Sequence, residues 1–290
     1  MVAPGRSRRP GAQGRTTRIA DAATCPFCEG HEAMTPPEVQ AFGRPEGAAP
    51  DSPGWTVRVV PNKFPAIPGQ EVVVHGPEHV VSFAELPAGV LDATAAAWEA
   101  RRAAHADAAW TAVAVNEGPA AGASLDHSHS QIVPFGEAPP GVEAQRAAFA
   151  GECALCAALG IEDARTVRRA DGLRTIAPAW SRFAYELWIA PDAHTGEPGW
   201  DVLAAALADA AQRLRAVLGA DLAWNCVVYA APAGGANWHW HAEVWPRLTV
   251  VAAAELGAGL WINIVDPDEA AAELRAGHPA RSGASGTPIA

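Results

Sequence analysis

The segment Gly122-Ala123-Ser124-Leu125-Asp126-His127-Ser128-His129-Ser130-Gln131 sets two histidines at i and i+2 behind a loop of small residues, with a glutamine two positions further on. In an extended segment, side chains at i and i+2 point to the same side. Two imidazoles and an amide then converge on one point. Such a set can supply a neutral imidazole nucleophile, a metal ligand and a donor to a phosphoryl oxygen. A polar edge strand with incidental histidines is the competing reading. It loses ground because the arrangement recurs as His239-Trp240-His241, with a Cys-x-x-Cys upstream of each copy.

Structural zinc takes four tetrahedral sulfur and nitrogen ligands. Cys25 and Cys28, with His79 and His127, form one candidate Cys2His2 set; Cys153, Cys156, His194 and His239 form the second. Four protein ligands leave no open position for water, so two structural zinc ions are expected. The alternatives for a single Cys-x-x-Cys are a redox motif or plain core cysteines, and a duplicated site without chemistry is free to decay. The fifth cysteine, Cys226, lies in the apolar run Trp224-Asn225-Cys226-Val227-Val228 and reads as a buried core thiol. His31, His75, His105 and His278 read as surface or loop residues.

These residues need elements to position them. Residues 36–54 are rich in Pro and Gly and read as a loop. Strands are expected over Trp55–Val60, Glu71–His75 and Ala112–Val115 from alternation and β-branched content. An Ala-rich helix is expected from Leu86 to about Ala109. In the second half, Leu173–Ile176, Tyr185–Ile189 and Trp224–Tyr229 read as strands, and Asp201–Leu218 as a helix with Asp201 as N-cap. Asn237–Trp245 carries the second His-x-His, and Glu269–Arg275 reads as a short final helix. The order Cys-x-x-Cys, strands, lone His, helix, strand, His-x-His thus occurs twice, and an internal duplication is the economical explanation. The expected fold is α+β: two tandem repeats forming a pseudo-twofold unit, with antiparallel sheet and helices covering one face. The expected divisions are a basic tail at 1–20, a catalytic repeat at 21–145, a second repeat at 146–276 and a Gly/Ser/Pro-rich tail at 277–290; both tails are read as disordered.

The 290 residues carry a formal charge of −11 and are 49% hydrophobic. The acidic balance argues against a nucleic-acid binder, which normally presents a basic face. A small anionic substrate then needs local positive charge, or a zinc ion, to offset the field. No apolar run reaches the length of a membrane span. Residues 1–18 hold Arg6, Arg8, Arg9, Arg15 and Arg18 but no apolar block, so they do not read as a secretory signal; a disordered basic tail is the first reading, and phosphate contact by Arg15 and Arg18, which lie closer in sequence to the folded part, is the lesser alternative. A cytoplasmic protein with thiolate metal sites is expected.

The chain resembles the galactose-1-phosphate uridylyltransferase family of the histidine-triad group from about Cys25 to Arg275. The anchors are Cys25-Pro-Phe-Cys28, Pro61-Asn-Lys-Phe-Pro65, Glu78-His79, Asn116-Glu-Gly118, Gly122-Ala-Ser124, His127-x-His129-x-Gln131, and His239-x-His241 followed by Pro246-Arg-Leu248. The resemblance implies ping-pong transfer of a nucleoside monophosphate, first of all UMP, between a nucleotide-sugar and a hexose 1-phosphate, in galactose metabolism. His129 would be the nucleophile and His127 a zinc ligand. Asn62 and Phe64 match positions facing the nucleotide, and Asn116, Ser124 and Gln131 match positions around the phosphates. Gly118 and Gly122 allow close backbone approach. Gln131 stands where histidine-triad hydrolases place a third His; an amide cannot shuttle protons, which favours transfer over hydrolysis. Ser128 and Ser130 depart from the commonest segment, which has Pro and Gly there. They look more like the ADP-glucose phosphorylase branch, as does the second Cys-x-x-Cys, so phosphorolysis of ADP-glucose is the alternative. His241 matches the nucleophile position but is followed by Glu243, so the second half reads as a scaffold that contributes sugar contacts. Relatives pair as homodimers, which implies the same here. A zinc-stabilised nucleotide-binding module without turnover is the reading from another class, and hydrolysis of dinucleoside polyphosphates is a third.

Overall fold

Short runs of valine and other apolar residues, broken by glycine and proline turns, build ten strands. In the computed structural model, which describes residues 21–161 and 164–277, these are β1 Gln40–Phe42, β2 Val57–Pro61, β3 Glu71–His75, β4 Trp110–Glu117, β5 His129–Phe135, β6 Thr166–Ala170, β7 Leu173–Ile176, β8 Leu187–Pro191, β9 Trp224–Tyr229 and β10 His241–Pro246. The helices are α1 Ala88–Ala104, α2 Pro140–Phe149, α3 Ala154–Leu159, α4 Trp200–Leu218, α5 Ala253–Ala258 and α6 Pro267–Ala276. The strands form one antiparallel sheet in the order β1-β2-β3-β5-β4-β9-β10-β8-β7-β6. Read from either end, the order is the same once each first-half strand is matched to its second-half counterpart. β4 and β9 meet at the centre, from Val113 opposite Val228 to Glu117 opposite Trp224.

Side-chain alternation sorts the sheet into two faces. Val57, Val59, Val73 and Ile132 pack with Trp98 of α1 and Leu203 and Leu207 of α4 in the main core. Trp98 and Trp200 hold the two long helices together, their rings 6.2 Å apart. The opposite set, Val60, Val72 and Val74, packs with Cys25, Phe27, Cys28 and Trp55 in a smaller cluster. His129 and Gln131 alternate with the core residue Ile132 and so project away from α1.

Glu71–His75, Leu173–Ile176 and Trp224–Tyr229 are strands over the expected residues. Other boundaries differ for identifiable reasons. α1 starts at Ala88 because Pro87 is extended at φ −63°, ψ 153°. It ends by Ala104 because Ala109 N–H already donates to Phe135 in the sheet. α4 begins at Trp200 with Gly199 as N-cap, so Asp201 is not the cap; it lies in the first turn, where a carboxylate favours the helix dipole. The 36–54 stretch is not all loop, since Gln40–Phe42 adds an edge strand to β2. α2, α3 and α5 were not expected. His75 is fully buried rather than on the surface. Cys226 is buried, 1% exposed, as a core thiol should be. The 1–20 tail, most of the 277–290 tail and His278 lie outside the described residues. Among the described residues, no helix is long and apolar enough to cross a membrane.

Candidate active site and metal centres

The turn at Cys25–Cys28 brings both thiols against two imidazoles. Sγ of Cys25 lies 3.6 Å from His127 Nδ1, and Sγ of Cys28 lies 3.7 Å from His127 Nδ1 and 3.4 Å from His79 Nδ1. The second cluster repeats this. Cys153 Sγ is 3.4 Å from His239 Nδ1, and Cys156 Sγ is 3.3 Å from both His239 Nδ1 and His194 Nδ1. In each set of four, the ligand atoms lie within 4.8 Å of one another. The other ring nitrogen of His127 donates to Gly76 O, and that of His239 to Pro191 O, each at 3.0 Å, which fixes the tautomer that turns Nδ1 toward the thiols. All eight sequence candidates are therefore brought together, and each cluster could hold a metal ion. Burial, reinforced by the Cys25 thiol, pushes the Cys28 thiol up to about 12; burial and Cys153 push Cys156 up to about 11. Such thiols need a cation to ionise. The first cluster is mostly buried, whereas Cys156 and His194 of the second are exposed.

Two residues on, His129 Nδ1 donates to His127 O at 2.7 Å. The neutral ring therefore carries its lone pair on Nε2. Phe27 packs edge-on against both imidazoles, 6.0 Å from His127 and 5.4 Å from His129. His129, Gln131, Gly122, Ser124, Asn62 and Phe64 line one cavity of about 340 Å³, so six of the seven expected active-site positions share a wall. Asn116 does not. It borders a narrow cleft on the other side of His129, and its Oδ1 accepts from Asn225 Nδ2 at 2.6 Å. Asn225 also donates to Ala121 O at 2.8 Å, so this pair supports the small-residue loop from behind. At the start of that loop, Gly118 has φ +80°, and a Cβ there would sit 2.8 Å from the Cβ of Ala223.

Several participants escaped sequence reasoning. Lys63, inside a quoted motif but given no role, brings positive charge to the cavity wall. Met34, Thr35 and Pro36 form another part of that wall. They are held by buried Arg58, whose guanidinium donates to Thr35 Oγ1 at 2.8 Å, to Glu38 at 3.0 Å and to Asp51. Hydrogen bonding from Arg44, helped by Arg58 and opposed by burial, holds the Glu38 carboxyl down to about 2. Behind β5, His75 joins Ser128 Oγ (3.0 Å) and Ser130 Oγ (2.9 Å), and Trp98 Nε1 donates to Ser130 Oγ at 2.8 Å. The two serines that break the common motif are thus partners of one buried histidine. An alternation count on β3 was the available signal, since His75 shares the core-facing parity of Val73.

In the second half His241 is fully buried among the described residues. That ring is stacked between Trp188 and Tyr229, with centroids 4.7 and 5.1 Å away, and Phe149 closes the third side at 6.1 Å. Glu243, 3.4 Å from His241 Nε2, is ion-paired with Arg182.

No family model matches the chain. An ADP-glucose phosphorylase of Arabidopsis thaliana is 25% identical over 319 residues, covering 95% of this chain and 89% of its own length. A galactose-1-phosphate uridylyltransferase of Thermotoga maritima is 25% identical over 231 residues, covering 71% and 73%. The crystal structure of an Arabidopsis thaliana ADP-glucose phosphorylase with bound ADP-glucose superposes with a TM-score of 0.77 at 25% identity, covering 94% of this chain and 93% of that one. The relatives and structural neighbours of the chain are thus galactose-1-phosphate uridylyltransferase-like proteins and ADP-glucose phosphorylases.

Proposed function

We propose that the protein is a nucleotidyltransferase working through a covalent nucleotidyl-histidine at His129. The observation that carries this reading is the 2.7 Å bond from His129 Nδ1–H to His127 O, which leaves the Nε2 lone pair as nucleophile on a ring lining the cavity. Nε2 attacks the α-phosphorus of a nucleotide-sugar. An N–P bond forms, the P–O bond to the β-phosphate breaks, and its electron pair leaves with the sugar 1-phosphate. In the return step an acceptor oxygen attacks the same phosphorus, and the N–P electrons go back to Nε2. Charge grows on the non-bridging oxygens, where Ser124 and Gln131 supply donors. Asn62 and Phe64 take the nucleoside. Asn116 acts from behind, through Asn225 and the loop.

Zinc fits both Cys2His2 sets. Tetrahedral zinc with ordinary Zn–S and Zn–N bonds separates sulfur from nitrogen by about 3.5 Å, and the sulfur–nitrogen contacts here run from 3.3 to 3.7 Å. Held by Cys25, Cys28, His79 and His127, the ion would brace His127, and through the His127 carbonyl also His129. The mirrored strand order supports a duplication into repeats at 21–145 and 146–276, with the second repeat retained as scaffold around a filled His241.

Two readings of the substrates stand. The motif set points to uridylyl transfer onto a hexose 1-phosphate. Phosphorolysis of ADP-glucose is favoured by the relative of that name matching more of the chain than the uridylyltransferase does, 95% against 71%. Incubation with UDP-glucose or ADP-glucose, followed by intact-mass measurement, tests the chemistry. One nucleoside monophosphate should add to the wild type and none to His129→Gly; equal labelling of the variant refutes the nucleophile. Adding glucose 1-phosphate, galactose 1-phosphate or inorganic phosphate to the labelled protein then identifies the acceptor by product. A binding module gives no adduct, and a hydrolase releases free monophosphate without acceptor.

A further inference from the structure

Gln131 is useful to a phosphoryl group only if its amide nitrogen, not its oxygen, faces the substrate. A glutamine side chain is nearly symmetric in shape, so something must choose between the two orientations. The choice is made at Gln70, the residue just before β3 and 5% exposed. Gln70 is held by its own backbone: its N–H donates to Ile67 O at 3.2 Å, and its carbonyl accepts from Asn62 N–H at 2.9 Å. Its side-chain Oε1 accepts from the Ala66 backbone N–H at 2.7 Å. A backbone N–H can only donate, so the oxygen of Gln70 must face Ala66 and its Nε2 must face the other way. What it meets is Gln131 Oε1. That bond engages the oxygen of Gln131 and leaves its Nε2 as the end available to the cavity that Gln131 lines.

We infer that Gln70 is a positioning residue that sets the amide orientation of Gln131, so that Gln131 presents a donor to the phosphoryl oxygens in the transition state. The inference rests on the role given to Gln131 under the proposed function. The chain of polarity starts at an unambiguous donor, Ala66 N–H, and runs through two amides to the substrate. It also ties the β2–β3 tip, which carries Asn62 and Phe64, to the strand carrying His129. Nucleoside contacts and the phosphoryl donor are therefore set by one hairpin.

Gln70→Glu is the informative change. A carboxylate is nearly the same size but only accepts. It keeps the Ala66 bond and forces Gln131 to turn its Nε2 toward residue 70, leaving its oxygen toward the phosphates. The experiment measures the single-turnover rate of His129 labelling by UDP-glucose and ADP-glucose in wild type, Gln70→Glu, Gln131→Ala and the double variant. Removing one transition-state donor costs about 100-fold, so each single variant should fall by about that factor. In the Gln131→Ala background, Gln70→Glu should then change the rate by no more than about 3-fold. A full additional loss there would mean that the new charge or a packing defect is responsible, and would overturn the inference. Gln70→Glu at wild-type rate would overturn it as well. Side-chain amide spectra of protein labelled with 15N-glutamine give a readout that does not need turnover. Gln70→Leu should shift the Gln131 amide resonances, and an unchanged Gln131 amide refutes the contact. Absence of labelling in the wild type, with the Gln131 amide shifted, would sink the nucleotidyltransferase reading while leaving the orientation of Gln131 by Gln70 intact.

Discussion

Replacing His75 with alanine should cost about 3–6 kcal/mol of folding stability, although the residue touches neither cavity nor metal cluster. His75 is fully buried behind β5 and joins two hydroxyls, Ser128 at 3.0 Å and Ser130 at 2.9 Å. After truncation Ser130 keeps the Trp98 indole donor at 2.8 Å, so it forfeits roughly 1 kcal/mol. Ser128 loses its ring partner in a buried position, which costs about 1–3 kcal/mol. The vacated ring volume, bordered by Phe83 at 5.2 Å between centroids, adds about 1–2 kcal/mol. Urea unfolding is the assay. With an m-value of about 3 kcal/mol/M for a chain of this size, the midpoint should drop by roughly 1–2 M at unchanged m. Combining the change with Ser128→Ala removes the orphaned hydroxyl and should recover about 1–2 kcal/mol of the summed single losses. A loss below about 1 kcal/mol, or strict additivity in the double variant, would refute the network as a support for the strand. The same residue carries a pH signature. Burial first, then the nearby His129 and His127, hold His75 well below its ordinary range. The unfolded chain takes up a proton as pH falls below about 6.5 and the folded chain does not, so this stability is present above that pH and declines below it. His75→Ala should flatten the slope between about pH 6.5 and 5 by up to about 1.4 kcal/mol per pH unit.

A chelator should remove metal in two phases, the Cys156/His194 cluster first because it is exposed. Metal analysis alongside the labelling assay should show nucleotidyl-His129 formation surviving the first phase and failing in the second. The Glu38 carboxyl, held at about 2 mainly by Arg44, contributes stability that is present above the ordinary carboxylate pKa and is lost as pH falls from about 4.5 through 2. Glu38→Gln should flatten acid unfolding in that window, as followed by circular dichroism. Gly118→Ala places a methyl group 2.8 Å from the Ala223 Cβ at φ +80°, so thermal melts should show a loss of about 1–3 kcal/mol. His241→Asn should leave the labelling rate within about threefold of wild type while lowering the melting temperature, since that ring is buried between Trp188 and Tyr229.

The parts of the site that could be read in the sequence were those whose spacing is local. His129 and Gln131 reach one cavity because strand geometry sends i and i+2 to one side, while His127, just ahead of the strand, turns to the thiols. Each Cys-x-x-Cys folds back on itself, so its two sulfurs meet whatever the tertiary structure does. Harder cases depended on which distant strand lay alongside. Gln70 and Gln131 are partners only because β3 pairs with β5, and Asn116 is taken up by Asn225 only because β4 pairs with β9. Burial of His75 follows from its parity with Val73 on β3, but the two serines that satisfy it come from the distant β5 segment and leave no local sign. The helix ends slipped where Pro87 and Gly199, rather than the expected residues, controlled the backbone. β1 gives too short a pattern to read, three residues between a Pro-Pro segment and Gly43, and its place comes from pairing with the distant β2.

The central seam between β4 and β9 has a consequence for how such a protein can be divided. Five residue pairs join the halves there by backbone bonds, so neither half owns a finished border. Cutting the gene between them would bare the eight-residue ribbon Trp110–Glu117, apolar along most of its length, with its amides and carbonyls seeking a mate. An isolated first half would satisfy that ribbon with another copy of itself, rebuilding a ten-stranded whole from two identical pieces. The halves can diverge in chemistry, one open and one plugged, because the main-chain bonds of the seam do not depend on the residues that line either site.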